Sequence, residues 1–518
     1  VNLGPVNGCG VYMSGLVIAY GKPDHDDANS MFRKIRHRGP DVSGMFENNG
    51  IIMAQNYLEA DAASAQGDIN IPVSDPRNPD LRICYDGQVG NWDELTRSYG
   101  IPDGPFREER LLLELYKRYD TDMLRHLNDA IFAFVISDRD EFFAARDLLG
   151  IKTLFFGWKN QTLYLASELK SIIEVTEDVH EFPPGHYMDR HGCLTPFAQL
   201  PEVLPEVLHT DLDKITEDIR TKIRQSLLNR VDFRLSTGSL LSGGIDSSVI
   251  AMLASEAYKE KYGKDARLKT FVLGVGESTD IQNARVMAGH IDSDHHEVMV
   301  DLNQALTVLP EVIYYLESFD PSLVRSSISN FLISRFAKEQ GIQVLLSGEG
   351  GDEVFCGYTY FKDFPLGELF ARQMECIGFL HNNASLRLDR MNQCNSLRVV
   401  APIISGELLN YSLAIPPEYK QKPDGENKIE KWIFRKAYEG LLPEDITWRL
   451  KQEFSQGSGI AGLLPAYFEE VVTDNELADV QAECPMIRSK EELHYFRIFT
   501  EHFGAGQAVE TVGQWICL

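Results

Sequence analysis

Leu240-Leu241-Ser242-Gly243-Gly244-Ile245-Asp246-Ser247-Ser248 leads from an apolar pair straight into Val249-Ile250-Ala251-Met252-Leu253. The first residues read as the end of a strand and the last as the start of a buried helix. The turn between them decides the reading. Adjacent glycines, Gly243 and Gly244, let backbone amides come close to phosphate oxygens. The helix that follows brings partial positive charge at its first turn. Ser242, Ser247 and Ser248 add hydroxyl donors. Asp246 is an odd neighbour for a phosphate unless a Mg2+ ion lies between them. The competing reading is a polar turn with Ser247 capping the helix. The segment lacks the Lys-Ser/Thr ending of a Walker loop.

Outward from this loop, short apolar runs alternate with longer helical patterns: Thr270-Phe271-Val272-Leu273, His296-Glu297-Val298-Met299-Val300 and Val344-Leu345-Leu346. Such alternation predicts a parallel sheet covered by helices, with ligands bound beyond the carboxyl ends of the strands. A second loop, Ser347-Gly348-Glu349-Gly350-Gly351-Asp352-Glu353, directly follows the last of these runs. Its glycines let the main chain pass close to a ligand. Glu349 could take a proton from an incoming amine, and Asp352 could give a second Mg2+ contact. Taken alone, an acidic glycine loop is more often a solvated turn. Beyond residue 365 the pattern is mainly helical.

The first 200 residues read differently, as short strands such as Gly50-Ile51-Ile52-Met53-Ala54 and Ala130-Ile131-Phe132-Ala133-Phe134-Val135-Ile136, with amphipathic helices near 26–36 and 108–118. A layered α+β domain suits them. Proline-spaced, aperiodic sequence around Leu200-Pro201 and Leu204-Pro205 puts the boundary there, giving domains 1–205 and 206–518. A chain of 518 residues exceeds what one core usually serves. The formal net charge of −27 argues against a nucleic-acid partner. No run of 18 apolar residues predicts a membrane span. The eight cysteines are scattered without a CxxC pair, which suggests neither a disulfide framework nor a zinc site and points to a cytoplasmic home.

Taken together, the two loops, about a hundred residues apart, resemble the asparagine synthetases. The resemblance continues through Glu317-Ser318-Phe319-Asp320-Pro321-Ser322-Leu323-Val324-Arg325, Trp448-Arg449-Leu450-Lys451-Gln452-Glu453-Phe454-Ser455 and Tyr495-Phe496-Arg497-Ile498-Phe499. In the first half, Arg36-His37-Arg38-Gly39-Pro40-Asp41 and Ala145-Arg146-Asp147-Leu148-Leu149-Gly150 are similar to the same family. The resemblance implies an N-terminal-nucleophile hydrolase-like αββα sandwich, followed by an α/β domain of the ATP pyrophosphatase type. It implies ATP and Mg2+, a carboxylate activated as its adenylate, and an amide formed with ammonia or another amine. Ser242 through Ser248 would hold pyrophosphate. Leu240 and Leu273 would border adenine, and Ser347 and Gly348 would give main-chain contacts. Asp280 would lie near the nucleotide, Asp246 and Asp352 would bind Mg2+, and Arg325 and Lys451 would face the phosphates. Arg390 falls near a lysine position of the family. Glu349 would be the base that favours attack by ammonia or a small amine. A homodimer is also a family expectation.

This sequence departs from the family in its first half. The nucleophile there is an N-terminal cysteine whose free α-amine is the base. Cys9 is the match, yet eight residues precede it in this sequence, so a leader would have to be removed. In the glutamine pocket, Tyr57 stands for an arginine, Asp86 for an asparagine, Gln88 for a glutamate and Glu108 for an aspartate; only Gly87 is unchanged. Tyrosine cannot offer a bidentate cationic fork to a carboxylate, and Gln88 cannot neutralise an ammonium. These changes predict weak or absent glutamine hydrolysis, with the domain kept as a structural partner. Pro402-Ile403-Ile404-Ser405 ends in serine where the family has aspartate. Aspartate is the expected acyl substrate, and the alternative is a specialised amide ligase acting on another carboxylate. A catalytically silent homologue is disfavoured, because Asp246, Arg325, Glu349, Asp352 and Lys451 all stand in their motifs.

Overall fold

The computed structural model of the protein describes residues 14–48, 50–58, 71–102, 104–139, 141–207, 210–452 and 454–515. Cys9 and the residues before it lie outside this set. The chain forms two compact units, one from residues up to 200 together with 228–235 and 405–407, the other from the remainder.

The first unit is built on two six-stranded sheets. One runs in the order His180–Glu181, Phe155–Lys159, Thr162–Ala166, Ser14–Tyr20, Ile51–Tyr57, Val42–Asn48, with antiparallel neighbours throughout. The other runs Leu194–Pro196, His186–Asp189, Glu141–Arg146, Ala130–Asp138, Asn78–Val89, Val73–Asp75, again antiparallel. Side-chain alternation separates the two faces of each strand. Ala133 and Val135 join Leu16, Ile18, Met53 and Leu165 in a core between the sheets. Phe132, Phe134 and Ile136 point the other way, into a core with Leu111, Leu112 and Leu115 of the helix Arg107–Tyr119. The helix His25–Lys34 packs on the opposite sheet. Helix, sheet, sheet and helix are thus stacked as four layers. Strands buried on both faces explain why their sequences read as continuous apolar runs.

The second unit holds a five-stranded, wholly parallel sheet in the order Asp294–Met299, Lys269–Gly274, Thr237–Leu240, Val344–Leu346, Arg398–Val400. The chain starts in the middle, moves two strands one way, then returns to add two on the other side. Thr237–Leu240 and Val344–Leu346 are therefore adjacent strands whose following segments diverge, which is where α/β sheets bind ligands. The two glycine loops leave these two strands. Arg398–Val400 was not expected, because a three-residue buried strand has too few residues to show a period. Neither was the hairpin Gln421–Asp424 with Asn427–Glu430. Among the described residues no helix is long and apolar enough to cross a membrane, and Cys84, Cys193, Cys356, Cys376, Cys394 and Cys484 are free thiols.

Candidate active site

A cleft of about 970 Å3 opens at the carboxyl ends of these two strands. Leu240, Phe271, Leu273 and Ile333 make one apolar end, suited to a flat ring. Ser242, Gly244, Asp246, Ser247, Asp280, Ser347, Gly348, Glu349, Asp352 and Lys451 are part of its polar lining, with Lys431 and Arg449. The first loop is braced from within. Ser242 Oγ and Ser247 Oγ lie 3.0 Å apart, and Ser247 Oγ also donates to Gly244 O at 3.1 Å. Gly244 starts the helix Ile245–Tyr262, and no side chain caps it, so its first-turn amides are left for a ligand anion. The second loop presses on the first. A Cβ at Gly348 would stand 2.5 Å from Ser247 N and 2.6 Å from Asp246 C, so only glycine fits there.

Three of the expected phosphate residues do not line this cleft. Gly243 has φ +68, and a Cβ on it would meet Asn283 Cβ at 2.4 Å; it serves the turn itself. Ser248 is fully buried in the helix, its Oγ without a hydrogen-bond partner. Arg325 turns its guanidinium to Pro321 O, Ala461 O and Glu491. Arg390 is buried against Glu317, 2.7 Å from Oε2. Asp280 does face the cleft. Burial raises its carboxyl above the usual range, against the pull of Arg449, whose Nη2 donates to Oδ1 at 2.8 Å. Arg449 also donates to Ser242 O at 3.0 Å, tying the first loop to the segment before Lys451.

Asp246 and Asp352 come together, and each is already answered by a cation. Lys431 Nζ contacts Asp246 Oδ2 and lies 2.8 Å from Asp352 Oδ1. Lys451 Nζ lies 2.5 Å from Asp352 Oδ2. Burial works against the charged form of Asp352, but the two lysines outweigh it and hold its pKa at about 2. Burial likewise opposes the charge of Lys451, and the Asp352 and Asp246 carboxylates prevail, raising its pKa. The residues fit Mg2+. Asp246 Oδ1 is buried without a hydrogen-bond partner, and two carboxylates plus substrate phosphates are the ligand set this ion prefers. Among the described residues no group of three or more His, Cys, Asp or Glu forms a closed cage, so phosphate oxygens would complete the shell. Lys431 carried no motif in the sequence. The available signal was a charge set directly against the apolar run Trp432-Ile433-Phe434.

A second pocket of about 550 Å3 adjoins the first and shares Glu349, Asp352 and Lys451 with it. Ser322, Tyr358, Asn383, Arg387 and Trp515 form much of its wall. Arg387 Nη2 contacts Glu349 Oε1. Tyr358 donates to Glu353 Oε1 at 2.8 Å. Burial, with Asp352 and Glu349 nearby, pushes the Glu353 carboxyl up to about 7.

In the first unit, the residues expected to form a glutamine pocket are held by partners within the protein. Asp86 Oδ2 accepts from Arg38 Nη2 at 2.8 Å, and Lys152 Nζ lies 3.0 Å from its other oxygen. Arg38 also reaches Glu168 at 2.9 Å, which His37 and Lys170 share. Tyr57 donates to Glu109 Oε1 at 3.1 Å. Glu108 Oε2 accepts from Tyr85 Oη at 2.6 Å and from Val89 N at 3.1 Å. Gln88 Nε2 donates to Arg230 O at 3.0 Å, and a Cβ on Gly87 would stand 2.5 Å from Ile131 O. The Arg146-Asp147 motif is structural: Asp147 accepts from four main-chain amides and Arg146 donates to three carbonyls.

Known proteins share this order of two domains. The asparagine synthase family matches residues 218–377 and 367–508, and the glutamine amidotransferase domain family matches residues 9–214. The asparagine synthetase (glutamine-hydrolyzing) of Triphysaria versicolor is 31% identical over 96% of this chain and 88% of its own. Asparagine synthetase (glutamine-hydrolyzing) 1 of Saccharomyces cerevisiae is 31% identical over 94% and 92%. The Sandersonia aurantiaca enzyme of the same name is 30% identical over 95% and 96%. With an amidotransferase domain in front of a synthetase domain, and both glycine loops on one cleft, the chain belongs to the asparagine synthetase family and is an ATP-dependent carbon–nitrogen ligase.

Proposed function

We propose that the protein makes asparagine from aspartate, with glutamine as nitrogen donor and free ammonia as an accepted substitute. The side-chain carboxylate of aspartate, seated in the second pocket, attacks the α-phosphorus of ATP in the first. The bond between the α-phosphorus and the bridging oxygen breaks, and pyrophosphate leaves. Lys451 and Lys431 follow the charge that develops on the departing phosphates, the kind of fixed electrostatic help that counts most in such steps. Asp246 and Asp352 would hold Mg2+, which screens phosphate charge when bound. Ammonia then adds to the acyl carbon of the adenylate, Glu349 accepts a proton from the nitrogen, and AMP departs as the amide forms. Glu349 stands where the two pockets meet, and this shared position is the observation that carries the reading.

The first unit supports glutamine use in spite of its altered pocket. The amidotransferase match starts at Cys9, and the relatives are glutamine-hydrolyzing by name. This favours a working glutaminase over the loss expected from Tyr57 and Gln88, with a looser grip on glutamine as the cost of those changes. A second reading, an amide ligase for a different carboxylate, draws on Arg387 beside Glu349 in the acyl pocket. One assay tests both. The protein is incubated with ATP, Mg2+ and aspartate, with ammonium or glutamine, and AMP, pyrophosphate and asparagine are measured. Asparagine from both donors is the expected result. Asparagine from ammonium alone would remove glutamine from the account, and no aspartate-dependent pyrophosphate would transfer the case to another carboxylate.

A further inference from the structure

Lys431 has three features that an ordinary surface lysine lacks. Its side chain is 1% exposed. Its backbone sits in the left-handed region, φ 53, where residues with a Cβ are uncommon and are held by specific surroundings. Its stem passes against Gly357, where a Cβ would come within 1.8 Å of Lys431 Cε and 2.2 Å of Asp352 Oδ1. The fold has cleared a channel for this one ammonium group and delivered it between two carboxylates.

We propose that Lys431 keeps the metal's place: its ammonium bridges Asp246 and Asp352, so a divalent cation enters the cleft only together with the phosphates of a nucleotide. This rests on the reading of that pair as the Mg2+ ligands. Two carboxylates, Asp246 and Asp352, and two ammonium groups, Lys431 and Lys451, leave the resting cluster without net charge, at side-chain exposures of 15, 14, 1 and 19% respectively. A bare divalent ion would bring a double positive charge into this poorly solvated place and would have to displace an ammonium held by both carboxylates. A nucleotide supplies another anion. When phosphates arrive, the ammonium groups move to phosphate oxygens and the carboxylates become available to the ion that the nucleotide carries. Lys431 acts as a positioning residue for the empty state and as a phosphate ligand in the loaded one.

The experiment uses Mn2+ as a spectroscopic stand-in, with the free ion measured by electron paramagnetic resonance in the full-length protein. The wild type is expected to leave Mn2+ free until ATP is added, whereas Lys431→Gln takes up Mn2+ alone at least tenfold more tightly than the wild type. Wild-type uptake of one Mn2+ without nucleotide, as tight as with it, overturns the proposal. So does a folded Lys431→Gln protein that still refuses Mn2+ alone, since something other than the ammonium then excludes the ion. Circular dichroism checks the fold of the variant. Should it fail to fold, thermal melts of the wild type decide: Mg2+ alone is expected to leave Tm unchanged and Mg2+ with ATP to raise it, and an equal rise with Mg2+ alone overturns the proposal. If Mn2+ and ATP together do not bind at all, the reading of the nucleotide site fails, a result distinct from both.

Discussion

Both units of the protein set carboxylates against lysines, and they do so to different ends. In the second unit Asp246 and Asp352 face an open cleft, and their partners Lys431 and Lys451 line the same cleft. On the proposed reading, those pairs would be exchanged for phosphate and metal. In the first unit Asp86 is 1% exposed and Arg38 is not exposed at all. Their network takes in Lys152, Glu168, Lys170 and His37, and its buried charges organise the fold around Tyr85 to Gln88. The same chemistry is a binding site where its partners can leave and a structural clamp where they cannot. Burial by itself does not tell the two apart; the direction in which the ion pair opens does.

The comparison breaks most visibly at Arg38. Arg38→Ala takes from Asp86 and Glu168 the guanidinium they share, leaving each with one lysine, Lys152 and Lys170, and removing one partner of a buried pair costs about 3–5 kcal/mol. Chemical denaturation monitored in the first unit is expected to show that loss. Lys451→Ala should cost less stability than Arg38→Ala, because Lys431 still answers Asp352 at the edge of an open cleft, and should reduce aspartate-dependent pyrophosphate release by about 100- to 1000-fold, the scale of one lost transition-state donor. A full-strength Lys451→Ala enzyme would mean that the cleft lysines are as purely structural as Arg38. The double variant Tyr57→Arg/Gln88→Glu returns the two charges that a glutamine zwitterion needs. Its KM for glutamine should fall about tenfold with kcat little changed, from roughly 1.5 kcal/mol of charged hydrogen bonding.

The smallest expected effect is on pH dependence. Burial holds the His37 imidazole below its ordinary pKa, with Glu168 pulling the other way. Below about pH 6.5 the unfolded chain binds a proton that the folded His37 does not, so stability falls with falling pH through that range. His37→Gln should flatten this acid limb in thermal melts taken from pH 7.5 to 5. An unchanged slope would assign the acid sensitivity elsewhere.

The loops of the second unit were legible because glycine spacing and strand-to-helix order carry their own geometry. Ser242, Gly244 to Ser247, Ser347 to Glu349 and Asp352 line one cleft, as the parallel-sheet pattern implies. What stayed hidden came from tertiary contact. Lys431 is far along the chain from either loop and has no local pattern. Arg387 sits in a helix buried on nearly every side, Ala384–Gln393, where periodicity gives no face to read. Arg325 shows the reverse: its motif is intact, yet its guanidinium is engaged by Pro321, Ala461 and Glu491. In the first unit, substitution patterns at Tyr57, Asp86 and Gln88 are visible in the sequence. The partners that make those residues comfortable, Glu109, Arg38 and Arg230, are brought to them only by folding.

The parallel pairing of Thr237–Leu240 with Val344–Leu346 bears on how the enzyme comes into being during synthesis. A ribosome must add about a hundred residues after the first loop before the strand carrying the second loop exists, and about a hundred more before Lys451 emerges. Pairings of such long range form late. Until then Asp246 and Asp352 lack their cations and the cleft lacks a wall. On the proposed reading ATP recognises the finished arrangement, and would stabilise the completed chain by mass action.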